Sequence, residues 1–380
     1  MTAIRADVRA ELLRWACERA GPDAAIALRE KYAVEEWIRG DKKPTLKQLD
    51  AFAKAARVPM GYLFLSEPPE EKLPIRDLRT IGSQGVKRPS PDLLEVVYLC
   101  QRRQEWYREY AEQQDEQPRS FVGSANISQP ATEVATEMRR VIEFTTADRR
   151  TCYDNTEAMR LFISRSEDAG VLVMISGVVK NITKRRLDPD EFRGFALADR
   201  LAPLIFINGA DSKAAQIFTL AHELAHLWLG ESALSNAKLD GVANSEIEKW
   251  CNRVAAEFLV PLAEIARQRA TDHLALLDSY AKTFKVSKLV IVRRLLDANL
   301  ITRTQFNETY GSLIRLMKPA APSTGGDFYN TLPLRASTRF VKALVASTLE
   351  GNTLYADAFQ MLGIRSTKTF RGIGQKVGAL

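Results

Sequence analysis

The chain is poor in histidine and cysteine, with three His and four Cys among 380 residues. Cys17, Cys100, Cys152 and Cys251 stand far apart with no CxxC spacing, which argues against a disulfide framework and a thiolate zinc site. Buried, reduced thiols in a cytoplasmic protein are the expectation. Long hydrophobic runs are missing too. The longest, Ala169–Lys180, is too short to cross a bilayer, and the charged start MTAIRADVRAELL has no apolar core of a secretory signal. No internal repeat stands out at a solenoid period. Nor is one sign of charge in large excess: 54 Lys+Arg minus 47 Asp+Glu gives +7, which permits an acidic partner without demanding one. What is present is ordinary globular stock, 46% hydrophobic and 27% charged. That length suggests two or three domains, with a core large enough to need no staples.

Local patterns divide the chain. Residues 1–65 read as short helices: Val8–Ala20, Ala24–Lys31, Ala33–Arg39, and a helix capped by Thr45 that runs through Ala56. Ser66–Pro91 reads as a linker and Asp92–Gln117 as a long helix with charged faces. Pro118–Pro130 is a loop, and Ala131–Ile142 and Thr156–Ala169 are helical. The texture then changes to strands at Val171–Val179, Phe192–Leu197 and Pro203–Ile207. Helices from about Ser212 to Leu229 and Ser245 to Leu259 follow, and the pattern stays helical from Pro261 to Leu316. Lys318–Gly326 is a linker by composition, before a basic helical tail. The fold class is α+β, mostly helical. Its expected parts are a bundle of short helices (1–68), a linker and long helix (69–130), a small-sheet domain (131–270), a helical extension (271–317) and the tail (327–380).

Residues 221–230 read AHELAHLWLG, so His222, Glu223 and His226 form H-E-x-x-H and use two of the three histidines. On a helix, the four-residue spacing puts both imidazoles on one face, within reach of one ion. Glu223 projects beside them, where a carboxylate can take a proton from water acidified by that ion. This is chemistry for amide hydrolysis. A catalytic zinc normally takes a third protein ligand. The segment SEIEKWCNRVAAEFLVP offers Glu246, Glu248 and Glu257. Glu248 is preferred, because Asn252 lies four residues on and could brace a ligand, while Ala255 and Ala256 allow close helix approach. His273 is a weaker alternative. The set suits zinc best, though manganese is not separated from it by residue type. Tyr153, His273 and several arginines are candidates for stabilising an oxyanion, with nothing in their spacing to choose among them.

The run FTLAHELAH followed by E-x-x-C-N-x-x-A-A-E-F-L-V-P resembles the ImmA/IrrE family of metallo-endopeptidases. Glu248, Cys251, Asn252, Val254, Ala255, Ala256, Phe258, Leu259 and Pro261 take the places of that family's second-helix pattern. The resemblance covers about residues 150–270. It implies a Zn²⁺-dependent endopeptidase with Glu223 as general base. The substrate it implies is a protein, of the helix-turn-helix repressor or antitoxin kind.

Residues 33–65 carry W-x-R-G-x-x-x-P-T-x-x-x-L-x-x-x-A and then V-P-x-x-Y-L-F, which resembles the Xre/Cro helix-turn-helix family. The resemblance implies a recognition helix near Ala33–Arg39 and binding to double-stranded DNA. Arg39, Lys42, Lys43 and Lys47 are the candidate phosphate contacts, whereas Glu35 and Glu36 would repel phosphate. The competing role is a helical module kept for protein contacts, and Trp37 is expected in its core. Residues 311–380 hold nine Lys/Arg and three Asp/Glu, a net of +6. In that tail, Ala356–Leu362, the Gly363 turn and Thr367–Phe370 have the cadence of a second small helix-turn-helix, with Arg365, Lys368, Arg371 and Lys376 exposed. A solvated tail, or one docked on the peptidase part, is the other expectation. The rival to an enzyme is a DNA-binding regulator, or a toxin–antitoxin component, whose peptidase fold senses or binds without turnover. A homodimer is compatible with the sequence, which does not fix the oligomeric state.

Overall fold

The structure is a computed structural model that describes residues 4–78, 89–235, 245–268, 270–316 and 327–380. The fold is α+β and mostly helical, with one five-stranded mixed sheet. The described chain forms two compact units. The first is built from residues up to 74 together with 89–97, the second from 75–78 and 98–380. The Lys318–Gly326 linker lies outside the described residues, as does most of the C-terminal half of the Ser66–Pro91 linker.

In the first unit, helices Ala10–Arg19, Pro22–Lys31, Val34–Arg39 and Leu46–Ala56 precede a 3₁₀ turn at Met60–Phe64. The reasons are local. Thr45 and Gln48 form a reciprocal capping box that starts the fourth helix. Gly40, at φ 80°, ends the third in a left-handed conformation. Leu12, Leu13, Trp37, Leu49 and Phe52 are buried together, and Trp37 meets Phe52 edge-on at 5.9 Å. Trp37 is thus a core residue. Arg19 clasps Glu71 through two N–H donors, at 2.5 and 2.7 Å.

The second unit is organised by the sheet. Its strands are β1 (Arg76–Asp77), β2 (Leu172–Ser176), β3 (Gly194–Leu197), β4 (Leu204–Asn208) and β5 (Ala233–Ser235), in the order β1-β5-β3-β4-β2. β2 runs parallel to β4 and β1 to β5, while β3 is antiparallel to both its neighbours. β2–β5 are buried almost throughout, as expected of strands covered on both faces. Two strands were not expected. β1 falls in the segment read as linker, and its two residues are too few to show a period. β5 is three residues long and starts directly after the short turn that ends the motif helix.

Alternation along the strands sorts the two faces. Val173, Ala196, Ile205 and Ile207 join the core under the helices Asn155–Asp168 and Lys213–Leu229. Met174, Phe195 and Phe206 turn the other way. There, Met174 meets Cys100 and Arg103 of the long helix Pro91–Gln113, and the Phe195 and Phe206 rings stack at 5.2 Å. Gln104 donates to the carbonyls of Leu197 and Ala202 at 2.9 and 2.8 Å.

The residues expected as an extension and a tail belong to this same unit. Arg149 is fully buried and donates to the carbonyl of Phe284 at 2.6 Å, tying down the helix Leu277–Phe284. The C-terminal helices Phe328–Ala336, Thr338–Leu349, Tyr355–Leu362 and Thr367–Lys376 bury Leu332, Phe340, Leu344 and Phe370. Arg103 donates to the carbonyls of Arg335 and Met361, and Arg339 to Glu116 and the Tyr107 hydroxyl. Thus residues 327–380 dock on the unit. No helix among the described residues is long and apolar enough to cross a membrane.

At the start of that docking sits Glu167, 9% exposed, which accepts from the Ser337 hydroxyl and the Thr338 amide at 2.6 and 2.8 Å. Burial pushes its carboxyl up from 4.5 to about 7, against the pull of those donors. The folded chain therefore holds this proton more tightly than the unfolded chain. The group's contribution is complete below about 4.5 and is lost as pH rises through about 7. Urea unfolding should show wild type losing up to about 3 kcal/mol more than Glu167→Gln between pH 4.5 and 8. Parallel curves for the two proteins would contradict this assignment.

Candidate metal centre

The site is built on two helices of the second unit, Lys213–Leu229 and Glu246–Leu259. Ser212 caps the first by accepting from the Ala215 amide, and Gly230, at φ 70°, ends it. The stretch Gln216–Trp228 is buried throughout. An apolar helix buried on all sides fits its place between the sheet and the second helix. Its C-terminal end is held from the loop before residue 130. The amides of Gly123 and Ala125 donate to the carbonyls of Leu227 and Trp228 at 3.0 and 2.9 Å, and Phe121 stacks on Trp228 at 4.4 Å.

Within this frame, three side chains converge. His226 Nε2 lies 3.2 Å from His222 Nε2 and 3.0 Å from Glu248 Oε1. His222 Nε2 lies 3.4 Å from Glu248 Oε2. One ligand atom from each of the three lies within 4.8 Å of the others, and all three residues are buried. His222 Nδ1 is 3.0 Å from Asn252 Oδ1. A carbonyl oxygen accepts, so Nδ1 carries the proton and Nε2 presents a bare lone pair to the cluster. Two imidazole nitrogens and a carboxylate buried so close together are a donor set in need of a cation. The residues fit a divalent ion of the zinc class.

The other sequence candidates lie elsewhere. Glu246 is exposed and pairs with Lys249 at 2.9 Å. Glu257 is buried against Arg294, and also accepts from the Leu262 amide at 3.2 Å. His273 Nδ1 pairs with the Tyr280 hydroxyl at 3.1 Å. Tyr153 stands in solvent, 92% exposed. None of these four is gathered at the cluster. Burial pushes the Cys251 thiol well up, with Glu248 and Glu223 adding to the effect. Its sulfur is not among the ligand atoms that gather at the cluster, which come from His222, His226 and Glu248.

Glu223 is fully buried beside the cluster. Burial raises its carboxyl, against the opposing pull of His222 and His226. For Glu248, burial also disfavours the charge, but the two imidazoles hold its carboxyl well below the usual range. The two carboxylates are thus set apart, one ready to ligate as an anion and one able to take a proton. Two residues that shape Glu223 were missed from the sequence. Ser235, at the end of β5, donates its hydroxyl to Glu223 Oε1, leaving Oε2 without a partner among the described residues. Gly194 opens β3 where a Cβ would lie 2.7 Å from Thr219 Cγ2, 2.9 Å from the Phe206 carbonyl and 3.0 Å from Glu223 Oε1. A serine in a three-residue strand and a glycine in a four-residue one carry no sequence signal.

The four candidate DNA contacts belong to the first unit. Arg39 pairs with Asp41 at 2.8 Å, Lys42 with Glu36 at 2.5 Å and Lys43 with Asp7 at 3.1 Å. Lys47 is exposed and pairs with no described residue.

Two outcomes follow. Gly194→Ala should destabilise the chain by about 1–3 kcal/mol, because two of its three near neighbours cannot yield cheaply; a melting temperature unchanged within a degree would show the approach is looser. Asn252→Ala should weaken zinc affinity by about 10–100-fold through loss of the fixed His222 tautomer, read by competition with a chromogenic chelator. Unchanged affinity would sink that role.

Residues 336–376 match the model of a domain of unknown function (DUF8813). No curated protein matches the chain. Residues 166–296 match the Peptidase M78 model, described as an IrrE N-terminal-like domain, and that stretch holds β2–β5 and both site helices. In the part that carries the cluster, the chain is therefore similar to the IrrE N-terminal-like domain of the Peptidase M78 family.

Proposed function

We propose that this chain is a zinc-dependent endopeptidase that cleaves a protein substrate, of the helix-turn-helix repressor or antitoxin kind, in the cytoplasm. The observation that carries the reading is the buried convergence of His222, His226 and Glu248 with the Glu223 carboxylate alongside. The match of residues 166–296 to a peptidase family supports it.

In this reading His222 and His226 each offer Nε2, and Glu248 offers a carboxylate oxygen. A zinc ion held there supplies Lewis acidity to a carbonyl and acidifies water. Asn252 fixes the His222 tautomer through Nδ1. Ser235 occupies Glu223 Oε1, so Oε2 is the atom that receives the proton from attacking water. The same carboxyl then returns that proton to the leaving amine. Burial raises the affinity of Glu223 for a proton, the direction that suits a proton-accepting base.

The N-terminal helical unit is the recruiting part. Three of its four candidate phosphate contacts already face carboxylates. Of the two roles open to it, contact with a protein partner is therefore favoured over contact with phosphate. Removing residues 1–74 should leave metal content intact and abolish cleavage in cells.

Metal content by mass spectrometry should give about one zinc per wild-type chain, lost in His222→Ala and in Glu248→Ala. Glu223→Gln should keep the metal. In cells, new protein N-termini should appear with wild type and vanish with Glu223→Gln. No bound zinc after reconstitution, or identical termini with both proteins, would overturn the enzyme reading.

A further inference from the structure

The chain's surface cations differ in how far they are neutralised. In the first unit, Arg39, Lys42 and Lys43 each face a carboxylate, and Arg29 faces Glu35 at 3.3 Å. Such exposed pairs stabilise little, but each cancels a charge that a phosphate would otherwise meet. The C-terminal helices are different. Residues 327–380 hold seven Lys/Arg and three Asp/Glu, 7 − 3 = +4. Arg335 and Arg339 are used inside the unit, on Asn181 and on Glu116 with Tyr107. Arg365, Lys368, Arg371 and Lys376 are exposed, and none has an ion pair with a described residue. The three acidic groups are Asp327, which caps its own helix, Glu350, which accepts from Asn352, and exposed Asp357.

Those four cations sit on a helix-turn-helix. The helix Tyr355–Leu362 ends at Gly363, in a left-handed conformation at φ 66°. A four-residue turn follows, and Ser366 caps the helix Thr367–Lys376 by accepting from the Thr369 amide at 3.2 Å. Short, glycine-containing turns are how such helix pairs are joined. The pair is stiff. Phe370 meets Tyr355 at 5.3 Å and Phe359 at 5.9 Å. Asn181 donates to the carbonyls of Leu362 and Gly363 at 3.0 and 3.1 Å, so the turn is anchored. Phe370, Ile373, Gly374 and Val377 form the buried face of the second helix and its end. At 100° per residue, Lys368, Arg371, Gln375 and Lys376 lie opposite, pointing to solvent.

We propose that this face binds double-stranded DNA, with the helix Thr367–Lys376 in the major groove. Arg365 at the turn and Lys376 at the helix end meet phosphates on either side. Lys368, Arg371 and Gln375 occupy the middle of the face, where Arg and Lys suit guanine edges and Gln suits adenine. DNA binding is thereby assigned to the C-terminal helices rather than to the N-terminal unit. It does not depend on the metal cluster or on the peptidase reading.

Fluorescence anisotropy of the full chain with a labelled 30-bp mixed-sequence duplex tests this. Wild type should bind saturably at 50 mM salt, and affinity should fall steeply by 200 mM. Arg365→Ala/Lys368→Ala/Arg371→Ala should bind at least tenfold more weakly, with the salt slope reduced by about 0.9 for each phosphate that is no longer neutralised. Lys368→Glu alone, a lighter change, should cost at least threefold. Lys42→Ala/Lys43→Ala/Lys47→Ala and His222→Ala should bind as wild type does, within threefold. The proposal is overturned by absence of saturable binding at 50 mM salt, by wild-type affinity in both C-terminal variants, by weakened binding confined to the N-terminal variant, or by tenfold tighter binding of single-stranded RNA of equal length.

Discussion

The arrangement depends on one electrostatic constraint. His222 Nε2, His226 Nε2 and the Glu248 carboxylate meet at 3.0–3.4 Å, and all three residues are buried. Lone pairs brought so close in a dry interior repel one another unless positive charge sits among them. Much of the second unit serves to impose that meeting. The motif helix is buried along nearly its whole length, wedged between a sheet face of Val173, Ala196, Ile205 and Ile207 and the helix that carries Glu248. Ala221, Ala225, Cys251 and Ala255 are all buried in the same core. Their small volume is what lets two helices come close enough for a glutamate to reach both imidazoles.

The second glutamate is governed by the opposite requirement. In the proposed mechanism Glu223 does not ligate but stays free to exchange a proton. The structure meets this with one hydrogen bond and one missing side chain. The Ser235 hydroxyl holds Oε1, and Gly194 leaves the space that any Cβ would take beside the same carboxylate. Both come from adjacent strands paired through the register Gly194↔Ser235. The sheet thus positions the proposed base while the helices position the proposed ligands.

The sequence showed the helical half of this site and little of the strand half. His222, Glu223 and His226 declare themselves by spacing, and Glu248 with Asn252 by their four-residue step on a neighbouring helix. Ser235 could not be found that way, because a three-residue strand has no period to detect. β1, at two residues, was read as linker for the same reason. The C-terminal helices were legible as helices, but amphipathic spacing shows only that a face is buried, not against what. That their apolar side closes over Met174 and the long helix is fixed by contacts far apart in the chain, such as Arg103 to Met361 and Glu167 to Ser337. For the first unit, capping and turn residues gave the helices, whereas the pairing of Lys42 with Glu36 and Lys43 with Asp7 depends on the fold.

The central claim is that two imidazoles and one carboxylate form a zinc site in which the nearby thiol takes no part. X-ray absorption at the zinc edge of the reconstituted full chain tests it most directly. The account predicts four light-atom neighbours, two of them imidazole nitrogens at about 2.0–2.1 Å, with oxygen completing the shell and no sulfur. A sulfur neighbour at about 2.3 Å would place Cys251 on the metal, and a shell with a single imidazole would break the cluster. Either result would contradict the account.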